Sequence, residues 1–286
     1  MIGSSILRGA IAQKLCKTIY VFEKNSKYLN QIKKINKKII LIKKLDKKIK
    51  IMDLVIISTP MSEYQKIIYK LNNNLNDTAL ITDVGSTRVN VAKLVKQELS
   101  KNLNWIMSHP ISGSEASGPK YGSKNLFKNK WCILIKSKKN KLLGNKLSRF
   151  WKKLGSRILF MQEQEHDKVF AVTSHLPHLI AYNLIKTAQD FQKKERKNII
   201  KFSAGGLRDF SRTAASNEIM WRDIFFDNKI NMLKVIDLFI NNLKIFKREI
   251  KQNKKSLEIK LKKLKKVRQK IILLKQDTSK PDFGRT

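Results

Sequence analysis

The feature that most constrains this chain is a change of period near residue 162. Before it, short apolar runs alternate with helical periodicities. After it, no strand pattern recurs. Residues 19–23, 53–59, 79–83, 105–108, 131–135 and 157–161 read as strands, the second ended by Pro60. Helical patterns cover residues 4–15, 62–71, 88–99 and 141–154. Such alternation argues an α/β domain over residues 1–162, with a mostly parallel sheet covered on both faces. Long helical periodicities then run over residues 165–191 and 229–274. The expected second domain, residues 163–275, is all-α and too open to be globular alone, so a homodimer is expected. Within it Leu257, Leu261, Leu264, Val267, Ile271 and Leu274 form one apolar stripe, suited to packing on the domain or on a partner. Residues 276–286 read as a disordered tail.

The 286 residues carry 61 Lys+Arg against 22 Asp+Glu, a formal charge of +39. That excess would ordinarily point to nucleic acid. Only 11 of the basic residues are Arg, however, and the 50 Lys spread over the whole chain. A dedicated phosphate-reading face clusters its cations and favours Arg. Lys, Asn and Ile rise together, the set that AT-rich codons supply. No specific nucleic-acid partner is therefore expected, although the field favours anionic substrates. No apolar run approaches the roughly 20 residues of a membrane span. The opening residues lack a secretory signal, and Cys16 and Cys132 are far apart. Those features fit a reduced cytosol, and a cytoplasmic protein is expected.

Chemistry-bearing residues gather after the strands. Gly3 and Ser4 open the first helix, where backbone N–H groups can hold a pyrophosphate, and Glu23 ends the next strand 20 residues after Gly3. An acidic residue there accepts ribose hydroxyls. Ser58, Thr59 and Pro60 lie at the carboxyl end of a second strand; Asp83 ends a third, and Ser86 comes three residues later. His109 precedes a flexible loop holding Gly113, Glu115 and Gly118. His166, His175 and His178 lie within 13 residues, but no HExxH or CxxC accompanies them, so no metal site is expected. His175 and His178 share a helix face, which Pro177 should kink. Arg208, Asp209 and Arg212 follow the pair Gly205-Gly206, and a bidentate guanidinium there suits carboxylates. Ser216 or Asn217 is placed to cap the next helix.

Three segments carry a resemblance. GGLRDFSRTAASNEIMWR at residues 205–222, SHLPH at 174–178 and SHPISGSEASG at 108–118 resemble the TyrA-type prephenate or arogenate dehydrogenases, the oxidoreductases of tyrosine biosynthesis. The resemblance spans residue 3 to about residue 245. It implies a Rossmann-type first domain and NAD as cofactor, ahead of NADP. It implies that His109 is the catalytic base and Ser86 its partner at the substrate hydroxyl. His178, supported by His175, and Arg212 would bind substrate, with Glu115 at the pocket mouth. Gly3, Ser4, Glu23, Ser58, Thr59, Pro60 and Asp83 would lie along the cofactor. Trp221, Arg222 and Asp223 match a signature that reads as structural. Gly3 corresponds to the third glycine of G-x-G-x-x-G; the first strand and first two glycines are not in the sequence. The expectation is an in-frame strand and G-x-G upstream of Met1. A catalytically impaired remnant, or another oxidoreductase of the 6-phosphogluconate-dehydrogenase-like group, are the other readings.

Overall fold

The computed structural model describes residues 1–136, 141–253 and 255–274. The expected tail at 276–286 lies outside the described residues.

The strands form three small sheets. Strand β1 (Ile19–Phe22) pairs in parallel with β2 (Ile39–Ile42). Strands β3 (Leu54–Ile57), β4 (Leu80–Asp83) and β5 (Asn104–Trp105) form a parallel sheet in that order. Strand β6 (Ser108–Pro110) runs antiparallel to β7 (Trp131–Ile135), which is parallel to β8 (Arg157–Met161). The strand expected over residues 105–108 is thus divided between two sheets. Its middle residues explain why: Ile106 N still bonds the Ile81 carbonyl at 2.9 Å, while the Met107 carbonyl already accepts from Ile135 at 3.0 Å. The chain steps from one sheet to the next there. Strand β2 was not legible in its lysine-rich surroundings.

Helix α1 (Ile2–Ala12) starts beside Ser58, which follows β3, and Glu23, which follows β1, attracts the Met1 ammonium at its start. Helix α2 (Ser26–Lys33), also unforeseen, is capped by Asn25, whose side chain accepts from Tyr28 N. Helices α3 (Tyr64–Asn72), α4 (Val89–Glu98) and α5 (Lys141–Lys153) complete the α/β part. Period-2 alternation sorts its core. Ile133 and Ile135 of β7 face a cluster with Tyr64, Leu71, Ile81 and Val91. Cys132 and Leu134 face the opposite cluster, with Ile6, Phe127, Leu147 and Trp151.

Beyond β8 every element is helical. Helix α6 (Glu163–Phe170) runs through a widened turn, Ala171–His175, into α7 (Leu176–Glu195). Pro177 explains the widening: it has no N–H to donate, and its ring would clash with the carbonyl four residues back. Phe170 reaches into the core beside Ile133, docking this rod on the sheet. Helix α8 (Gly205–Ser211) and α9 (Glu218–Asp227) follow, and Asn217 caps α9 by accepting from Met220 N. The long periodicity after residue 229 is two helices, α10 (Lys229–Lys251) and α11 (Ser256–Leu273). Asn253 adopts a left-handed φ of 48° between them, which a continuous helix cannot contain. The helices are tied by Lys260–Glu249 at 2.6 Å. The stripe of α11 stays exposed, from Leu261 to Leu274. Among the described residues no helix is long and apolar enough to cross a membrane.

Candidate active site

His109 stands on β6, which is clamped from below. Ser108 Oγ donates to the Asp83 carbonyl at 2.6 Å and lies 3.1 Å from Thr82 Oγ1. The His109 ring turns toward α6, where its Nδ1 is 2.8 Å from His166 Nε2. His166 Nδ1 is in turn 2.8 Å from Asp167 Oδ1. Asp167 also accepts from Arg88 N at 2.8 Å and Val89 N at 2.9 Å, so its carboxylate sits on the N-terminus of α4. Phe170, one turn after His166, covers both rings, with centroids 5.0 and 4.4 Å away. Burial drives the His109 pKa well below the usual imidazole range, and the neighbouring His166, Arg88 and His175 push the same way. The ring is therefore neutral at pH 7 and able to accept a proton.

The turn after β4 corrects one expectation. The side chain of Asp83 does not face a cofactor crevice: it is fully buried and pairs with Arg88, also fully buried, at 2.8 Å. Tyr64 Oη, Trp105 Nε1 and Gly85 N donate to the same carboxylate. No acceptor capacity is left for a ligand. Gly85 is required here, because a Cβ would lie 2.3 Å from Arg88 Nη2. Ser86 is next in the turn, half-buried, with its backbone beside His175. Among the described residues no hydrogen bond joins Ser86 to His109.

His175 is also corrected. It is completely buried, so its side chain supports the neighbourhood of His178 from within the fold. Asn228 Nδ2 bridges its Nδ1, at 3.1 Å, to the Asp167 carbonyl, at 2.8 Å. Its pKa is pushed down to about 4, first by burial and then by His166 and His178, against the pull of Asp167 and the Ser86 backbone. This carries a stability consequence. Above its ordinary pKa of 6.5 the ring is neutral in both folded and unfolded chains. Below that value only the unfolded chain takes up the proton, so stability is lost as pH falls from 6.5 toward 4. Between pH 7 and pH 5 the share of His175 is about 2 kcal/mol. Urea unfolding at both pH values should show the loss, and His175→Gln should shrink it. An unchanged pH dependence in that variant would contradict the assignment.

The partly open residues gather nearby. His178 stacks on Trp221 at 3.7 Å and an interplanar angle of 23°, with its Nδ1 2.9 Å from the Ser174 carbonyl. Burial lowers its pKa, and the charge of Arg212 adds to the effect. Arg212 reaches across to the loop after β6 and meets Glu115 at 2.7 Å. His178, Arg212 and Glu115 thus form one cluster. Trp221 and Asp223 are buried and Arg222 pairs with Asp223, in keeping with a structural part.

At the other end, α1 crosses Ser58 so closely that a Cβ on Gly3 would lie 3.0 Å from the Ser58 Cβ. The first-turn N–H groups of α1 have no acceptor within the helix, which suits a phosphate. Glu23 attracts the Met1 ammonium and accepts from Asn25 N at 2.8 Å. Ser58, Thr59 and Pro60 are exposed at the end of β3. The residues present fit the pyrophosphate and ribose of a dinucleotide. Ser4 is the exception, since its buried hydroxyl is bound to the carbonyls of Pro119 and Met1; only its backbone N–H remains. Lys24 pairs with Glu63 at 2.8 Å. Gly113, on the loop after His109, lies against the Met1 side chain, so the two ends of the site adjoin.

Sequence reasoning missed Arg88, Asp167 and Asn228, and saw in His166 only a candidate metal ligand. The adjacent pair His166-Asp167 was a visible signal; its partners were not.

The comparisons with known proteins give the family. Residues 10–160 match the family model described as prephenate dehydrogenase, nucleotide-binding domain. Residues 162–266 match prephenate dehydrogenase, dimerization domain. A cyclohexadienyl dehydrogenase of Zymomonas mobilis is 32% identical over 245 residues, 85% of this chain and 83% of that protein. A prephenate dehydrogenase of Bacillus subtilis is 34% identical over 192 residues, 66% of this chain but 51% of that protein, so this chain spans about half of that relative. The solved prephenate dehydrogenase of Aquifex aeolicus, in complex with hydroxyphenyl propionate and NAD+, superposes with a TM-score of 0.86 at 32% identity, covering 94% of each chain. Two matched domains and the identity shared with these relatives together show that the chain belongs to the prephenate dehydrogenase family.

Proposed function

We propose that this protein carries out the NAD-dependent oxidative decarboxylation of prephenate, to 4-hydroxyphenylpyruvate, or of arogenate, to tyrosine. The observation that carries the reading is the neutral, buried His109, whose Nε2 makes no hydrogen bond among the described residues, and whose following loop meets Met1 at Gly113 and Arg212 at Glu115. His109 accepts the proton of the ring hydroxyl, and Ser86 is assigned to bond the same hydroxyl. NAD, held along Gly3, Glu23 and Ser58–Pro60, would supply the acceptor for the hydride that leaves the carbon bearing that hydroxyl. The bond to the ring carboxylate then breaks, releasing carbon dioxide, and the ring becomes aromatic. Because both substrates carry this ring and differ in the side chain, assay of the purified protein with each of them and NAD is the direct test. No turnover of either would refute the reading.

Arg212 is assigned to a substrate carboxylate, with Glu115 holding the guanidinium in place until substrate arrives. Arg212 is 56% exposed, so solvent weakens the interaction. Arg212→Ala should raise the substrate KM about tenfold, equivalent to about 1.4 kcal/mol, with little change in kcat. An unchanged KM would remove Arg212 from the pocket.

NAD is assigned over NADP. Glu23 suits two ribose hydroxyls and repels a 2′-phosphate. Lys24, the cation nearest in sequence, is held by Glu63. A higher kcat/KM with NADP than with NAD would overturn the assignment.

A homodimer is supported by large apolar side chains exposed on the helical part, among them Phe210, Phe226, Ile230 and Leu273. We take residues 1–162 as the cofactor-binding domain and residues 163–275 as the dimerisation domain. Two free cysteines support a reducing, cytoplasmic setting.

A further inference from the structure

We propose that His166 and Asp167 are positioning residues that fix the tautomer of His109, leaving Nε2 as its proton-accepting nitrogen. The inference deepens, and rests on, the reading of His109 as the base.

The argument is a count of donors and acceptors. The Asp167 carboxylate accepts from two backbone N–H groups, those of Arg88 and Val89. Its third partner, 2.8 Å away, is His166 Nδ1. A carboxylate acts here only as an acceptor, so that nitrogen carries the hydrogen. A neutral imidazole has one N–H, so His166 Nε2 presents a lone pair. The 2.8 Å contact to His109 Nδ1 then requires a hydrogen on Nδ1. The remaining nitrogen of neutral His109, Nε2, is left with a lone pair that no group among the described residues uses. The opposite tautomer would set two lone pairs against each other at 2.8 Å in a buried site, with nothing to separate them.

The frame holding this chain of groups is rigid. Asp167 is fastened at its carboxylate by α4 and at its carbonyl by Asn228. His166 is fully buried under Phe170. When His109 takes up a proton, its Nδ1–H is already donated to His166. His166 in turn donates to a carboxylate, so the new positive charge is stabilised through two hydrogen bonds without movement. His166 itself touches no reacting atom.

Nitrogen NMR of the histidine rings tests this directly, because the chain has only four histidines and the His109 signals are those lost in His109→Asn. In the wild-type protein the neutral His109 ring should be protonated at Nδ1 and unprotonated at Nε2. In His166→Leu, which offers no acceptor, both tautomers should appear and kcat should fall about 10²-fold, with KM for substrate and NAD little changed. His166→Gln keeps an amide oxygen within reach of Nδ1 and should retain more of kcat than His166→Leu. A wild-type ring protonated at Nε2 overturns the proposal, and so does a His166→Leu protein with wild-type kcat. Should His166→Leu fail to fold, the wild-type spectrum still decides. Full activity in His109→Asn would refute the base assignment instead, while leaving the tautomer measurement intact.

Discussion

His109→Asn is expected to lower kcat by about 10²–10⁴-fold, with the substrate KM close to wild type. The loss is equivalent to about 3–5 kcal/mol of transition-state stabilisation. The imidazole works when the hydroxyl proton leaves, and asparagine cannot take that proton, so the loss falls on the chemical step. Burial holds the ring neutral at the pH of assay, so the base is available without prior deprotonation. Steady-state kinetics with saturating NAD, alongside circular dichroism to confirm folding, would measure it. An unchanged kcat would place the base elsewhere.

Asp83→Ala is expected to destabilise the protein by about 3–5 kcal/mol, a large part of the roughly 5–15 kcal/mol that holds a typical domain folded. The substitution leaves the Arg88 guanidinium uncompensated in a site with no solvent access. Burial alone pulls the pKa of that guanidinium down; the charge and hydrogen bonds of Asp83 outweigh it and hold it raised. The Tyr64 hydroxyl and the Trp105 indole N–H lose their acceptor as well. Removing both charges, in Asp83→Ala with Arg88→Met, should recover part of the loss, because no lone buried charge remains. Urea denaturation at neutral pH distinguishes the variants. A single variant as stable as wild type would mean that water or a neighbour reaches Arg88.

Much of this was legible in the sequence, for a local reason. Alternation with period 2 in residues 131–135 reports which face each side chain takes, whatever lies opposite. Loss of that period after residue 162 reports a change to helices. Proline at 177 and asparagine at 217 act on their own backbone, and both left their mark where expected. Ser58, at the carboxyl end of β3, is placed by its strand alone, whereas His109 lies within β6, a strand that the sequence did not separate from β5. What tertiary structure decided was which groups meet. Asp83 ends β4 and Ser58 directly follows β3, yet one is sealed by Arg88, Tyr64 and Trp105 while the other stays open. His175 and His178 share a helix face, yet a widened turn and Asn228 bury the first and leave the second on Trp221. His109 finds its partner 57 residues away, and Arg88 N finds Asp167 at a separation of 79. Such contacts are fixed by packing α6 onto the sheet and onto the start of α4. A one-dimensional pattern carries the period of each element but not the rotation and height at which two elements dock, and those decide whether a buried polar group meets a partner.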